Sequence, residues 1–261
     1  MGTQSQSPKL LDQLWMKCRT KGYAKKTAET YGHWCEEFIR FHHTRTGRWI
    51  HPRGMGRVEI EQYLTHLACN RHVSPTTQNV AFQSILFLYR EVLGIQIEGV
   101  DALRAKRPQR MPTVLSRQEV GELLKHLAGQ PKLIAMLCYG CGMRVGEAIG
   151  LRVKDLDFGN EQIVIRAEKG AKDRVVQLPQ AAAGPLREQV AAAERWHSLD
   201  VRAGFARVAL PNAFAIKSPQ ASSQLAWYWV FCSAVRSRDP LSGAIGRHHV
   251  DESNFGRALT I

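Results

Sequence analysis

This sequence has no long apolar run and comparatively few acidic side chains. No apolar stretch is long enough to span a bilayer, and no signal-peptide pattern opens the chain, so we expect a cytoplasmic protein with no membrane partner. Asp and Glu number 23 against 36 Lys and Arg, which leaves a net charge of +13 at pH 7. Such an excess of positive charge favours a polyanionic partner, and nucleic acid is the first candidate. The alternative is a basic surface that has no specific partner.

Cysteine is present, but in no pattern that predicts a cross-link or a metal site. With no export signal, the six cysteines are expected to be reduced thiols. Cys138 and Cys141 form a Cys-x-x-Cys pair, yet two further zinc ligands and a thioredoxin-like context are both missing. The adjacent His248 and His249 likewise have no third ligand at fitting spacing. We therefore expect no metal.

The first 100 residues are predicted to form a helical domain. Apolar side chains recur there at helical spacing in four segments joined by short connections. Ser7–Pro8 and Ser74–Pro75 place a capping residue before a proline, which predicts the starts of the first and fourth helices. Residues 101–115 interleave arginines and lysines with prolines, which is typical of a linker wrapping a duplex or of a plain solubilising spacer.

Residues 116–261 are predicted to form a second domain, which makes the chain α+β and mostly helical. The capping box from Ser116 to Glu119 opens it. Alternating side chains and turn residues predict three short antiparallel strands, with the tip of a hairpin at residues 169–172. The Ala-rich stretch 185–199 is predicted to be a helix. Within the aromatic segment that follows it, Tyr228, Trp229 and Phe231 are expected to lie in the core.

Arg144 is the first candidate site residue. A buried helix over Leu133–Tyr139 is predicted to break at Gly140 and Gly142, and Arg144 follows at once. Glu147, three residues further on, lies on the same helical face and can hold the guanidinium in one orientation. The fork of a fixed arginine matches two phosphate oxygens. The alternative is an ordinary ion pair at the start of a helix.

An ordered series of motifs resembles the tyrosine recombinases, the phage-integrase superfamily. Its members here are Gly142-Met143-Arg144-Val145-Gly146-Glu147, then Leu151–Asp157, then Glu168–Arg174, then Val175–Pro179. The region Trp227–His249 is similar to the insertion of integron integrases, and we place that insertion at about 218–250. The resemblance implies a four-helix, SAM-like core-binding domain and a recombinase catalytic domain with a small antiparallel sheet.

The resemblance also implies a reaction and the residues that serve it. Integron integrases integrate and excise gene cassettes through a 3′-phosphotyrosine intermediate and need no cofactor, because covalent attack stores the bond energy. Arg144 matches the arginine that binds the scissile phosphate. Lys169 matches the lysine that protonates the departing 5′ oxygen, and Lys172 is its rival for that role. Solubilising a turn is the alternative reading of both lysines.

The insertion implies a second kind of contact with DNA. In integron integrases it grips bases that bulge from a folded single-stranded recombination site, and the matching positions are Trp227, Pro240, His248 and His249. A base extruded from its stack needs an aromatic or flat apolar surface to rest on. The expected partners are therefore duplex DNA and folded single-stranded sites, in the cytoplasm of a bacterium.

The sequence departs from the family's pattern towards its end. No His-x-x-Arg follows His197, and Tyr228 is the only tyrosine in the last forty residues. The chain stops at Ile261, inside an apolar helical stripe, so we expect a C-terminally truncated catalytic domain. Two hypotheses follow: a shortened form of an active recombinase, or a non-catalytic DNA-binding remnant. Assembly into a tetramer is expected only if the C-terminal part is restored.

Overall fold

The computed structural model describes residues 9–99, 113–166, 172–211, 214–239 and 243–260. The chain divides into two compact units, Met1–Pro112 and Thr113–Ile261, called unit 1 and unit 2 below. The predictions made for Lys169 and Pro240, and for most of the linker, lie outside the described residues. No described helix has the length and apolar character needed to cross a membrane.

The described part of unit 1 (residues 9–99) contains four α-helices that share one core. They are α1 (Leu10–Thr20), α2 (Lys25–Thr46), α3 (Arg57–Thr65) and α4 (Pro75–Phe87), and π-helical turns extend α3 over His66–Asn70 and α4 over Leu88–Leu93. Each helix turns its apolar stripe inward, because burying that stripe is what stabilises a helix of this length. The fully buried side chains include Leu14, Cys18, Cys35, Phe38, Ile60, Tyr63, Leu67, Phe82, Ile85 and Tyr89.

The two predicted proline starts have different outcomes. Ser74 caps α4 as predicted, since its hydroxyl accepts the Thr77 N–H at 3.2 Å. The predicted start of the first helix is wrong, because α1 begins at Leu10. Lys9 has φ −57° and ψ 153°, an extended conformation, so it is the N-cap of α1 and not a residue inside the helix. Ser7 and Pro8 themselves lie outside the described residues.

Unit 2 begins with three helices, α5 (Arg117–His126), α6 (Gly129–Cys141) and the short α7 (Val145–Ile149). The Ser116 capping box is confirmed by reciprocal bonds with Glu119. The predicted break after α6 is right for Gly142, whose φ of 61° ends the helix, and wrong for Gly140, which stays helical. A Cβ on Gly140 would lie 2.6 Å from Pro179 Cγ, so this glycine serves close packing.

The predicted hairpin order is confirmed by a three-stranded antiparallel sheet. β1 (Leu156–Asp157) pairs with β2 (Gln162–Ile165), and β2 pairs with β3 (Arg174–Gln177). The Ile163 and Ile165 side chains of β2 are buried, which fixes the register against β3. The sheet packs against α6 and the long α8 (Gln180–Arg202), whose buried residues share the core of unit 2.

The rest of unit 2 is mostly irregular. It contains α9 (Phe214–Lys217), a two-stranded ribbon of β4 (Ser237–Arg238) with β5 (Ile245–Gly246), and α10 (Glu252–Leu259). Tyr228, Trp229 and Phe231 are buried as predicted. The described chain is thus mostly helical with small antiparallel sheets, which confirms the predicted fold class.

Candidate functional site

Glu147 holds the Arg144 side chain from inside the short helix α7. Because Gly142 turns the chain in the left-handed conformation, Arg144 falls at the N-cap with extended backbone. Glu147 Oε2 accepts the Arg144 backbone N–H at 2.8 Å, and Glu147 Oε1 accepts from the guanidinium at 2.9 Å. The Arg144 side chain is still 80% exposed. Its guanidinium is therefore oriented at one end and open to an anion on the rest of its fork.

A second arginine, Arg174, binds the same carboxylate. It stands at the start of β3, and its two terminal nitrogens donate to Glu147 Oε1 at 2.9 Å and Oε2 at 2.7 Å. This bidentate pair is the main reason why the pKa of Glu147 falls to about 2, with the Arg144 bonds adding to it. Two arginines thus share one carboxylate, which leaves one net positive charge.

The β2–β3 hairpin brings lysine close to this cluster. Lys172 is exposed and stands two residues before Arg174, so their Cα atoms are at most about 7 Å apart. Lys169 lies outside the described residues. Sequence reasoning missed Arg174 as a site residue. The alternation of side chains predicts that Arg174 lies in a strand, but it does not predict that Arg174 binds Glu147, 27 residues earlier. The one signal available in the sequence was a cation at the start of the returning strand, β3.

Trp227, from the predicted base-binding set, is half-buried and held on several sides. Its ring centroid lies 4.8 Å from that of Phe214 and 3.8 Å from Lys154 Nζ. Its carbonyl oxygen accepts a hydrogen bond of 2.6 Å from Arg152. A further ring stacking on Trp227 would have to displace Phe214 or Lys154 from the indole face it takes, and Lys154 has the longer, more flexible side chain.

Arg152 joins Trp227 to the buried Trp229. The guanidinium is 8% exposed and lies 3.8 Å from the Trp229 ring centroid, a cation–π contact in a desolvated site. It also donates to the Ala209 carbonyl at 2.8 Å. Burial lowers the pKa of Arg152 to about 10, so it keeps its charge at neutral pH.

His248 and His249 meet the same cluster through Trp229. Their ring centroids lie 5.3 and 4.9 Å from that of Trp229, and 4.0 Å from each other. Burial lowers the pKa of both imidazoles, so both are neutral at pH 7. The Trp229 indole N–H is buried and has no acceptor among the described residues. Aromatic rings beside neutral imidazoles suit contact with a planar polar ring.

The structure therefore brings Trp227, His248 and His249 into one cluster and places Arg144 in another with Arg174. Pro240 lies outside the described residues. Within the parts of the chain that are described, His, Cys, Asp and Glu form no group of three or more that could hold a metal ion.

Tyr228 is committed to a structural role. Its ring is fully buried, and its hydroxyl donates to Asp200 Oδ2 at 2.6 Å. Burial and this carboxylate raise the pKa of Tyr228 far above its ordinary range. Asp200 also accepts from Arg236 at 2.8 Å and from Arg247 at 2.9 and 3.1 Å, so three side chains from later in the chain, Tyr228, Arg236 and Arg247, are fixed to α8. A phenol so placed is no nucleophile.

Comparison with known proteins identifies the family to which the chain belongs. The Phage integrase family profile matches residues 113–243, and the phage integrase N-terminal SAM-like domain profile matches residues 10–99. An "Integrase/recombinase" of Escherichia coli and one of Pseudomonas aeruginosa are each 41% identical over 254 residues, 97% of this chain and 74% of the relative. This chain belongs to the phage integrase family. The predicted resemblance to tyrosine recombinases is thereby confirmed.

A more distant family member matches about half of this chain. The tyrosine recombinase XerA of Thermococcus kodakarensis is 36% identical over 129 residues, which cover 48% of this chain and 45% of the relative. Both profiles leave residues 100–112 unmatched, between the two matched segments.

Replacing Glu147 tests the shared carboxylate of this phage integrase family member. Because its folded pKa of about 2 lies below the ordinary value of 4.5, its stabilising contribution is complete above 4.5 and is lost as pH falls towards 2. Glu147→Gln should lower the free energy of unfolding by about 1 kcal/mol at pH 7, since Arg174 is partly exposed and solvent screens the pair. The deficit should shrink below pH 4.5.

Urea unfolding between pH 3 and pH 7 measures this difference. Glu188→Gln, on the exposed side of α8, is the matched control and should change stability by less than about 0.5 kcal/mol at every pH. A Glu147→Gln deficit that stays constant, or grows, on acidification contradicts the assignment.

Proposed function

We propose that this chain is the DNA-binding part of a site-specific recombinase of the integron integrase type. The observation that carries the proposal is the Arg144 guanidinium, exposed to solvent and oriented by a carboxylate that Arg174 keeps ionised. Family membership supports the reaction class, and the net charge of +13 supports a polyanionic partner. The substrates are duplex DNA and folded single-stranded recombination sites.

The Arg144 cluster suits the scissile phosphate. Its free fork matches two phosphate oxygens, and a preorganised cation stabilises the charge that grows on a phosphorane-like transition state. Lys169 donates a proton to the departing 5′ oxygen, with Lys172 as the rival for that role. The link from β3 through Arg174 to Glu147 keeps the lysine-bearing hairpin close to Arg144.

The cluster around Trp227 suits a base extruded from the DNA stack. Trp227 offers an aromatic face once the flexible Lys154 side chain moves off it, and the neutral His248 and His249 offer hydrogen bonds to base edges. Pro240 belongs to the proposed set through the resemblance alone. Recognition of extrahelical bases is what distinguishes cassette recombination from ordinary duplex recombination.

The chain on its own is proposed to be catalytically inactive. It carries no His-x-x-Arg after His197, and its last tyrosine, Tyr228, is bonded to Asp200 in the core. The second candidate function, a non-catalytic DNA-binding protein, is favoured by that same observation. Tetramer formation is proposed only for a chain that also carries the absent motifs. No cofactor is proposed, because attack by a protein hydroxyl on phosphate needs none.

Salt-dependent DNA binding tests the proposed function. Anisotropy titrations of the full chain on duplex DNA should give a log–log slope of about −0.9 for each phosphate contact. Arg144→Ala should make that slope less steep by about one contact, whereas Tyr139→Phe, an exposed neighbour on α6, should not alter it. Absence of binding at low salt overturns the proposal.

The integron-type specificity has a separate test. A hairpin with extrahelical bases should bind more tightly than plain duplex of equal length. Trp227→Ala should erase that preference by removing the stacking surface, while leaving duplex affinity within about twofold. Val235→Ala truncates another exposed apolar side chain of the insertion and should keep the preference. Equal binding of hairpin and duplex by the unmodified chain rejects the integron assignment and leaves the family intact.

The proposed lack of cleavage is tested with a nicked suicide substrate. No protein–DNA band should survive denaturant, since the hydroxyl of Tyr228 is buried and bonded to Asp200. A surviving band that disappears in Tyr228→Phe would refute the structural role of Tyr228. A band that persists in Tyr228→Phe would place the nucleophile on another tyrosine of this chain.

A further inference from the structure

The loop that follows α2 exposes an indole ring at the surface of unit 1. Trp49 is 68% exposed, whereas the other five tryptophans are buried or half-buried. An exposed indole gives up burial that its size would otherwise favour. The loop, residues 47–56, begins at Gly47, whose φ of 67° ends α2 in the left-handed conformation.

The rest of this loop is anchored, so the Trp49 ring is presented on a firm base. Ile50, the next residue, packs against the core of unit 1. Pro52 and Met55 are buried, and the buried Tyr89 hydroxyl lies 2.9 Å and 3.1 Å from their carbonyl oxygens, to which it donates. A rigid aromatic platform binds with little loss of conformational entropy.

His43 covers one face of the Trp49 ring. The two ring centroids are 3.9 Å apart and the planes differ by 19°, which is parallel stacking. Since His43 takes one face and the side chain is still 68% exposed, the other face of the indole is open to solvent. The pair is a two-layer stack with room for a third planar ring.

The charge around Trp49 selects the kind of ring. No acidic residue occurs between Glu37 and Glu59, a stretch that contains five arginines: Arg40, Arg45, Arg48, Arg53 and Arg57. Arg40 and Arg57 pair with glutamates outside that stretch. Arg48 and Arg53 are exposed, and their side chains have no partner among the described residues. An open aromatic face with unpaired arginines one and four residues away along the chain suits an aromatic ring that carries phosphate.

We propose that Trp49, backed by His43, is a stacking site for an unpaired nucleobase, with Arg48 and Arg53 binding the phosphates beside it. This inference rests on the proposed DNA-binding function and adds a second base site, on unit 1, to the Trp227 cluster of unit 2. Stacking on an indole is tolerant of sequence, because every base has a π-face. The site therefore selects unpaired over paired DNA rather than one base over another.

The test compares single-stranded with duplex DNA on the full chain. Anisotropy titrations use an oligothymidylate of about 12 nucleotides and a duplex of the same length. Trp49→Ala should weaken oligothymidylate binding about tenfold, change duplex binding by less than about twofold, and leave both salt slopes unchanged. Trp49→Phe keeps an aromatic face and should retain most of the affinity.

Two further variants separate stacking from charge and one base site from the other. Arg48→Ala with Arg53→Ala should make the salt slope less steep by up to about two contacts on both kinds of DNA. The loss caused by Trp49→Ala should persist in a Trp227→Ala background if the sites are independent. Unchanged circular dichroism and thermal unfolding show that the variants are folded.

The outcomes distinguish this inference from the proposed function. If the unmodified chain binds neither DNA at low salt, both fail. If it binds duplex with the expected salt dependence but Trp49→Ala weakens both DNAs equally or neither, the stacking site is refuted and the proposed function stands. If Trp49→Ala changes only the sedimentation of the protein, the surface is a contact between copies of this chain, and the inference is overturned.

Discussion

The carboxylate of Glu147 is the group on which the candidate phosphate site depends. It accepts the Arg144 backbone N–H, one Arg144 side-chain bond and two bonds from Arg174. An arginine on a flexible stem loses side-chain entropy when a ligand fixes it, and a carboxylate that orients it beforehand removes part of that cost. Because Arg174 begins β3, the same bonds fix the hairpin relative to α7.

Buried charge in the same way holds the segment that contains Tyr228, Arg236 and Arg247. Asp200 is inaccessible to solvent, and burial alone would raise its pKa, but its bonds to Arg247, Tyr228 and Arg236 outweigh that effect and lower it. Removing one member of such a set leaves the charges of the others buried and unpaired, in an interior that solvates them poorly. The buried charge of Arg152 is compensated by hydrogen bonds to two carbonyl oxygens and by the face of the Trp229 ring. Cationic side chains therefore position the aromatic rings of Trp227 and Trp229 as much as apolar packing does.

The two units present different chemistry to a polyanion. In unit 2, basic groups are oriented by carboxylates, as Arg144 is by Glu147. The loop 47–56 of unit 1 contains no acidic residue, and its two arginines, Arg48 and Arg53, stand one and four residues from the exposed Trp49 in the sequence. A phosphate needs a directed fork, whereas an unpaired base needs a flat surface with positive charge nearby. The proposed function and the proposed stacking site would therefore use separate side chains for the backbone and for the bases of DNA.

Local sequence determined the elements, because helix periodicity, strand alternation and caps depend on residues within about four positions of each other. The Ser74 and Ser116 caps, the hairpin order and the position of Arg144 are of this kind. Only the tertiary structure decided the long-range partners: Arg174 for Glu147, Asp200 for Arg247, and Arg152 between two tryptophans. It also kept Gly140 helical, where sequence alone predicted a break. The reason is physical: a charged side chain shows its sign in the sequence, but its partner is whatever the packed chain brings within about 3 Å.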